Sequence, residues 1–362
     1  MPEILKARYY FLDLLKAYAV LMMIQGHTLD AVLNPSDQLT PLYQLLHILR
    51  GLTAPAFLMG SGLGLVFSLR KKKDLSRTKL LFQKILRISP ILAAGYFLHL
   101  PYFSAARILT QSTHADIVNL LQCDILQTIG YTIIILQVIF LFIQDQKPIA
   151  VFSFISAIII LMTTPIINQV IKSHLFFVQL LTNNDGSPFP LFPFSAYLLI
   201  GVVLGYLFLS TIEKRGILAA KILFITSGIL IFAVSNFIHN KNIYLFFFRT
   251  GILVALSGFF LIFEEKKNEI LSGFIIIGQE SFLLYIIHIM IVYGSVINKG
   301  FAQHFGKTLN SFQSASLAIL LIISMSALGL VWHYLKERNR ALGKLIRNSL
   351  IIGLFLIFLI SG

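Results

Sequence analysis

The sequence predicts an all-α polytopic membrane protein, a helix bundle with about eleven transmembrane helices and a cytoplasmic N-terminus. Of its 362 residues, 57% are hydrophobic and only 12% are charged, whereas soluble domains are about 25% charged. This composition excludes a soluble globular protein and a disordered chain. The single cysteine, Cys123, excludes an internal disulfide. Residues 1–362 are expected to form one integral membrane domain.

Each predicted span is a run of mainly apolar residues that is long enough to cross a bilayer, which takes about 20 residues. Every span should be a helix, because an unpaired backbone group in lipid costs several kcal/mol. The predicted spans are 11–33, 51–69, 80–103, 118–143, 149–170, 191–211, 217–238, 243–263, 270–297, 312–334 and 345–361.

The net charge of +14 arises from 29 Lys and Arg against 15 Asp and Glu. These charges lie mostly between the apolar runs, as in the segment 70–79. With the N-terminus inside, most basic loop residues fall on the cytoplasmic side, which fits the positive-inside rule. The excess charge therefore indicates contact with anionic membrane lipids, and no nucleic-acid partner is expected.

The first span carries Asp13, Lys16, His27 and Asp30. An ionisable group inside a span costs about 2.5 kcal/mol or more, so it is a functional candidate. Lys16 and His27 are eleven residues apart, about three turns, and share a face. Asp30 lies one turn beyond His27 and is placed to hold its imidazole in one tautomer. We predict catalytic roles for His27 and Asp30; a hydrogen-bonded structural histidine is the alternative.

The second span begins near His47 and Arg50, which are three residues apart. Arg50 is the candidate for stabilising a developing oxyanion, although both side chains would also suit an interface where they reach water. Deeper in this span, Gly60 and Gly64 form a small-xxx-small pair that predicts close helix packing.

Further intramembrane charges give additional candidates. Lys84 and Arg87 open the third span, and two cations there suit a phosphorylated ligand that enters from the cytoplasm. The ninth span carries Glu280 and His288, both predicted to be catalytic. Buried charges must be paired, so Asp124, Arg249 and Glu280 could neutralise one another inside the bundle, and the sequence leaves the pairs open. The scattered histidines predict no metal site.

Six segments carry a resemblance to a known family. They are FLDLLKAYA (11–19) with His27, APAFLMG (54–60), KILRISP (84–90), LQTIG (126–130), FPLFPFSAYLLIG (189–201) and GQESFLLYIIH (278–288). Together these segments, which extend over about residues 8–295, resemble the transmembrane acyltransferases, a superfamily that includes the acyltransferase-3 proteins and the heparan-alpha-glucosaminide N-acetyltransferase-like proteins. The first segment is similar to the family's LDxxRGxA…H motif, with Lys16 in place of arginine.

The resemblance implies transfer of an acyl group, acetyl above all, from cytoplasmic acyl-CoA to a hydroxyl or amine of an extracytoplasmic acceptor. His27 would be the general base or the acyl carrier, and Lys16, Lys84 and Arg87 would bind the acetyl-CoA phosphates. The implied partners are membrane lipids, acyl-CoA and a carbohydrate or lipid-linked acceptor, with a homodimer left open. The bacterial cytoplasmic membrane is the expected location.

A secondary transporter or lipid-linked flippase is the rival interpretation. It would use the same intramembrane charges as a proton or substrate path. Many transporters carry matching interrupted helices in two halves. The sequence has no such internal repeat, which favours the enzyme.

Overall fold

The computed structural model describes residues 8–69, 77–143, 145–172, 175–184, 186–265 and 268–361. Within these ranges the chain forms sixteen α-helices, two short 3₁₀ turns and no β-strand. The prediction of an all-α fold is therefore confirmed. The helices are α1 (Tyr10–Val32), α2 (Pro41–Arg50), α3 (Thr53–Leu69), α4 (Arg77–Leu98), α5 (Ala105–Gln111), α6 (His114–Leu121), α7 (Ile125–Ile139), α8 (Gln146–Val170), α9 (Leu175–Leu181), α10 (Leu191–Ser235), α11 (Lys241–Phe260), α12 (Glu269–Gln279), α13 (Ser281–Tyr293), α14 (Phe301–Phe305), α15 (Ser311–Arg338) and α16 (Arg340–Ile360).

Seven helices in the described ranges are long and apolar enough to cross a membrane, and two bent helix pairs raise the number to nine. The chain is thus an integral multi-pass membrane protein, but the predicted count of eleven spans is not confirmed. The difference lies in two places. Helix α1 is not among the seven, because its charged and polar residues lower the mean hydropathy of the helix. Helix α10 counts once, although its backbone leaves the helical region at Gly216, where φ is 81°. The cytoplasmic N-terminus stays a prediction.

The chain divides into two compact units. The first unit comprises residues 1–16, 51–95 and 122–268, and the second comprises residues 17–50, 96–121 and 269–362. Helix α1 contributes its beginning to the first unit and the rest to the second.

Helix α10 is the centre of the first unit and packs against α3, α8 and α11. Its crossing with α3 is close because glycines face backbone there. A Cβ on Gly62 would lie 2.8 Å from the backbone nitrogen of Val202, and a Cβ on Gly201 would lie 2.9 Å from Cα of Met59. The predicted pair Gly60 and Gly64 faces Leu12 of α1 at ordinary distances, so the sequence pattern pointed to the right helix but not to the glycine at the closest crossing.

The beginning of α1 is fixed by charged groups of the first unit. Glu264 accepts a hydrogen bond from the backbone nitrogen of Phe11 at 3.0 Å, and a carboxylate is favourable at a helix N-terminus. Asp13 accepts two hydrogen bonds from Arg8, at 2.7 and 2.9 Å. The buried carboxylate of Asp13 therefore has a charged partner in Arg8.

The second unit holds the C-terminal end of α1 by backbone and side-chain contacts. The backbone nitrogen of Leu309 donates to Val32, and that of Asn34 donates to Leu309, each at 2.9 Å. Asp37 accepts from both the backbone nitrogen and the hydroxyl of Ser311 at 2.7 Å, at the start of α15. The segment after α1 is thereby attached to the beginning of α15.

We predict that Gly62→Ala lowers the free energy of unfolding by about 1–3 kcal/mol, the usual cost of overpacking. The added methyl group would meet the backbone of α10, which has no side chain that can rotate away. Thermal unfolding in detergent measures the effect. Gly64→Ala is the matched control, since its Cβ would meet only Leu12 at 3.8 Å. Equal stability of the two variants would contradict the close crossing.

Candidate active site

The second unit brings together the two histidines that the sequence predicted, His27 on α1 and His288 on α13. Their rings are stacked with centroids 5.6 Å apart and an angle of 25° between the planes. The hydroxyl of Tyr293 lies 3.0 Å from Nδ1 of His27. Two imidazoles and a phenol therefore form one group, although the two histidines are 261 positions apart in the sequence.

His288 is completely buried, and its two ring nitrogens differ. Nδ1 lies 2.9 Å from the carbonyl oxygen of Leu284. A carbonyl oxygen can only accept, so Nδ1 carries a proton, and in the neutral ring Nε2 is then an acceptor. Nε2 is buried and has no hydrogen-bond partner among the described residues. Buried polar atoms are nearly always paired, so this nitrogen is suited to accept a proton or hydrogen bond from a bound molecule.

Tyr293 is the last residue of α13, and a compact turn fixes this helix end. The chain turns at Gly294, where φ is 81°. The side chain of Asn298 donates to the carbonyl of Met290 at 2.7 Å, and the side chain of Gln303 donates to the carbonyl of Tyr293 at 2.7 Å. These bonds satisfy carbonyl groups that the end of a helix leaves unpaired. The turn thereby holds the Tyr293 side chain beside His27.

Arg50, at the end of α2, forms the second group of contacts. Its Nη1 lies 2.6 Å from Oδ1 of Asp30, and its Nη2 donates to the hydroxyl of Tyr43 at 2.9 Å. Tyr43 in turn donates to Asp30 at 2.6 Å. Arg50 also contacts Nδ1 of His47. Asp30 and Arg50, both predicted as site residues, are thus partners of each other.

Gly26, directly before His27, explains how Arg50 comes so close to α1. A Cβ on Gly26 would lie 2.8 Å from Cδ of Arg50. Nη1 of Arg50 also lies 3.3 Å from the carbonyl oxygen of Gly26. The missing side chain therefore leaves room for the stem of Arg50 next to the histidine.

Glu280 belongs to a separate group. It lies where α12 and α13 meet at a bend of 71°, and it is 6% exposed. Nζ of Lys336 lies 2.6 Å from both carboxylate oxygens, and Nδ1 of His333 lies 3.1 Å from one of them. Glu280 is also eight residues before His288, about 12 Å along a helix. Its place favours a structural role at the bend.

The sequence left open which of the charged residues Asp124, Arg249 and Glu280 pair with one another. The carboxylate of Glu280 is bound by α15, as described above. The side chain of Asp124 accepts a hydrogen bond from the backbone nitrogen of Ile125 at 2.7 Å and caps α7. Arg249 interacts with the hydroxyl of Tyr197.

The predicted donor-binding residues lie in the first unit. Lys16 is partly buried on α1, with its Cε 3.9 Å from where a Cβ on Gly60 would stand. Arg87 is exposed on α4, and the side chain of Lys84 lies outside the described part. Their cofactor role stays a prediction. In the described ranges no group of three or more His, Cys, Asp or Glu could hold a metal ion.

Sequence reasoning missed Tyr293, Tyr43, His333 and Lys336. A tyrosine at the end of a span usually indicates an interfacial anchor, so neither tyrosine stood out. The basic pair lies near the end of the tenth predicted span, where positive charge indicates orientation. The contacts of these four residues with His27, Asp30, Arg50 and Glu280 become visible only in the fold.

The geometry offers a set of groups for proton transfer beside a fixed cation. An imidazole can accept a proton, a second imidazole and a phenol can hold or pass one, and a guanidinium can stabilise negative charge. No curated protein matches the chain. The model of the acyltransferase-3 family, which is described as an acyltransferase domain, matches residues 9–331. Because this match extends over most of the sequence, the chain belongs to the acyltransferase-3 family of membrane acyltransferases.

Proposed function

We propose that this protein transfers an acyl group, acetyl above all, from cytoplasmic acyl-CoA to a hydroxyl or amine of an extracytoplasmic glycan or lipid-linked acceptor. Membership of an acyltransferase family supports the reaction class. The observation that carries the proposal is the contact of His27 with Tyr293 and His288. This arrangement places a titratable ring among groups that can orient it and exchange protons with it.

In the proposed reaction, His27 takes the proton from the acceptor hydroxyl or amine. The acceptor oxygen or nitrogen then attacks the carbonyl carbon of the thioester. The carbon–sulfur bond breaks, and the CoA thiolate leaves and recovers the proton from His27. A positioned general base typically contributes about 10²–10⁴-fold to the rate. In the alternative, a ring nitrogen of His27 attacks the thioester carbon and the CoA thiolate leaves. The acceptor then attacks the acyl carbon, the bond from that carbon to His27 breaks, and the proton of the acceptor passes to the thiolate.

The negative charge that develops on the thioester oxygen needs a stabilising group. Arg50 is our candidate, because Asp30 and Tyr43 hold its guanidinium in place next to α1. Preorganisation of this kind avoids the cost of moving a charged side chain during the reaction. His288, through its unpaired Nε2, would accept a hydrogen bond from the acceptor or from a water molecule.

On the donor side, Lys16, Lys84 and Arg87 would bind the phosphates of acetyl-CoA. Lysine and arginine side chains bind phosphate groups through charge and hydrogen bonds. Lysine at position 16 keeps the charge but lacks the planar fork that binds phosphate in a bidentate way. The likeness to the heparan-alpha-glucosaminide N-acetyltransferase-like branch and the bacterial cytoplasmic location belong to this proposal as well.

We expect His27→Ala to lower acetyl transfer by about 10²–10⁴-fold, because the reaction loses its base or acyl carrier. The measurement is incorporation of labelled acetyl groups from acetyl-CoA into envelope carbohydrate in membrane vesicles. Expression and membrane insertion should match the wild-type protein, as quantified on the same vesicles.

His304→Ala is the matched control for this experiment. His304 is an exposed histidine on α14 of the same unit, so its loss should leave acetyl transfer unchanged. Persistence of acetyl transfer in His27→Ala would exclude the proposed role of His27. Failure of the wild-type protein to use acetyl-CoA would exclude the proposed donor.

Tyr293→Phe should lower kcat by about tenfold, the effect of one lost hydrogen bond of about 1.4 kcal/mol. The ring that packs against His27 remains, while the hydroxyl at its Nδ1 is removed. The KM for acetyl-CoA should stay the same, since the change concerns the orientation of His27. Steady-state kinetics in vesicles separates the two constants.

Tyr334→Phe is the control for the hydroxyl deletion. Tyr334 is 60% exposed on α15, so the same chemical change there should leave kcat as in the wild-type protein. If Tyr293→Phe also keeps the wild-type kcat, the hydroxyl has no part in positioning His27.

A further inference from the structure

The first unit contains a buried amide that the proposed mechanism does not use. Gln127, on α7, is 1% exposed. Neither its Oε1 nor its Nε2 has a hydrogen-bond partner in the described part of the chain. An unpaired buried polar group costs about 1–3 kcal/mol of stability in mutational data. A side chain that bears this cost twice is a candidate for binding a molecule that supplies the missing partners.

The amide lies against α4, at a contact that glycines make possible. A Cβ on Gly95 would lie 2.6 Å from Oε1 of Gln127 and 3.0 Å from its Nε2. One turn away, a Cβ on Gly130 would lie 2.7 Å from Cγ of Leu92. The two helices therefore meet along a narrow seam, and the Gln127 amide is enclosed in it.

Helix α4 covers this amide with few buried side chains. Among residues 81–83 and 85–98 of α4, whose burial the structure describes, only Ile88 and Gly95 are buried. Segments with few buried contacts open at low free-energy cost. A small displacement of α4 would expose both polar atoms of Gln127 to a ligand that enters the seam.

The chemistry of the amide indicates the kind of ligand. A primary amide donates and accepts hydrogen bonds, so a group that also does both, such as a secondary amide, can pair with its oxygen and its nitrogen at the same time. The pantetheine arm of acyl-CoA carries two secondary amides between its phosphates and its thioester. Arg87 is eight residues before Gly95, about 12 Å along α4. A ligand with phosphate near Arg87 and an extended arm along α4 would bring an amide to Gln127.

We propose that Gln127 is a binding residue for an amide of the pantetheine arm of acyl-CoA, in the seam between α4 and α7. This inference rests on the proposed function, since it takes acyl-CoA as the donor. It adds a recognition site for the part of the donor that carries no charge.

The proposal predicts that removal of the Gln127 amide weakens CoA binding without lowering the unfolding temperature of the ligand-free protein. Gln127→Met keeps the length of the side chain but removes both unpaired polar atoms. The ligand-free protein should then unfold at the same or a higher temperature, because replacing an unsatisfied amide by an apolar group removes a cost. CoA binding should weaken about tenfold, as expected for lost hydrogen bonds. A purely structural glutamine would give a lower unfolding temperature instead.

The test is isothermal titration of the full chain in nanodiscs with CoA, together with thermal unfolding without ligand. Gln137→Met is the matched control, because Gln137 is also buried on α7 and its Nε2 also has no partner among the described residues. It lies ten residues away, about 15 Å along the helix, and its variant should bind CoA as the wild-type protein does. Gln127→Leu repeats the experiment should the methionine variant fold poorly.

Each outcome has a distinct meaning. Wild-type affinity for CoA in both Gln127 variants would overturn the inference and leave the proposed function intact. Equal weakening in the Gln137 control, or a lower unfolding temperature of both Gln127 variants, would also overturn it. No CoA binding by the wild-type protein would overturn the proposed function and the inference together.

Discussion

Arg50 carries a positive charge on a side chain that is only 10% exposed, and such a charge requires a partner. Asp30 supplies it at 2.6 Å. Because Asp30 follows His27 by three residues on α1 and Arg50 ends α2, this ion pair fixes α2 beside the part of α1 that carries the histidine. Tyr43 bonds to both partners, and the absence of a side chain at Gly26 allows their approach. The surroundings of His27 depend on this contact.

The remaining surroundings of His27 come from α13, which a second ion pair holds at its other end. The bend before α13 would leave Glu280 as a buried carboxylate, but Lys336 binds both of its oxygens. The bend and the C-terminal turn therefore fix the two ends of one helix of 13 residues. His288 and Tyr293 lie between or at these fixed ends. Charge pairing thus positions both elements that meet at His27.

The fold class could be predicted from the sequence because long apolar runs have one solution in a bilayer, the helix. The predicted spans 149–170 and 312–334, for example, correspond closely to helices α8 and α15. The number of spans was harder to predict. The polar residues of α1 make it less apolar than the other spans, and α10 continues through the turn at Gly216, where the sequence predicted two separate spans. Glycine spacing showed that α3 packs closely, but only the crossing geometry identifies Gly62 as the residue that α10 requires.

The candidate site was predicted in part. Charges inside spans identified His27, Asp30, Arg50 and His288 because their insertion is costly. The contacts among them were not predictable, since residues 27 and 288 are joined only by the fold. Glu280 was assigned to catalysis by the same rule, yet its partners on α15 favour a structural role. Tyr293 was missed because a tyrosine at a span end has an ordinary explanation as an interfacial anchor.

The turn that follows α13 positions Tyr293, and through it residues of this turn affect the surroundings of His27. Asn298 and Gln303 use their side chains to complete the hydrogen bonding of the last helical turn, and Gly294 and Gly300 are packed backbone against backbone. Natural variation at these four positions should consequently be as restricted as at the histidine itself. A survey of related chains that scored positions by invariance alone would assign this turn to the candidate active site itself, although its contribution is to keep the phenol of Tyr293 in place.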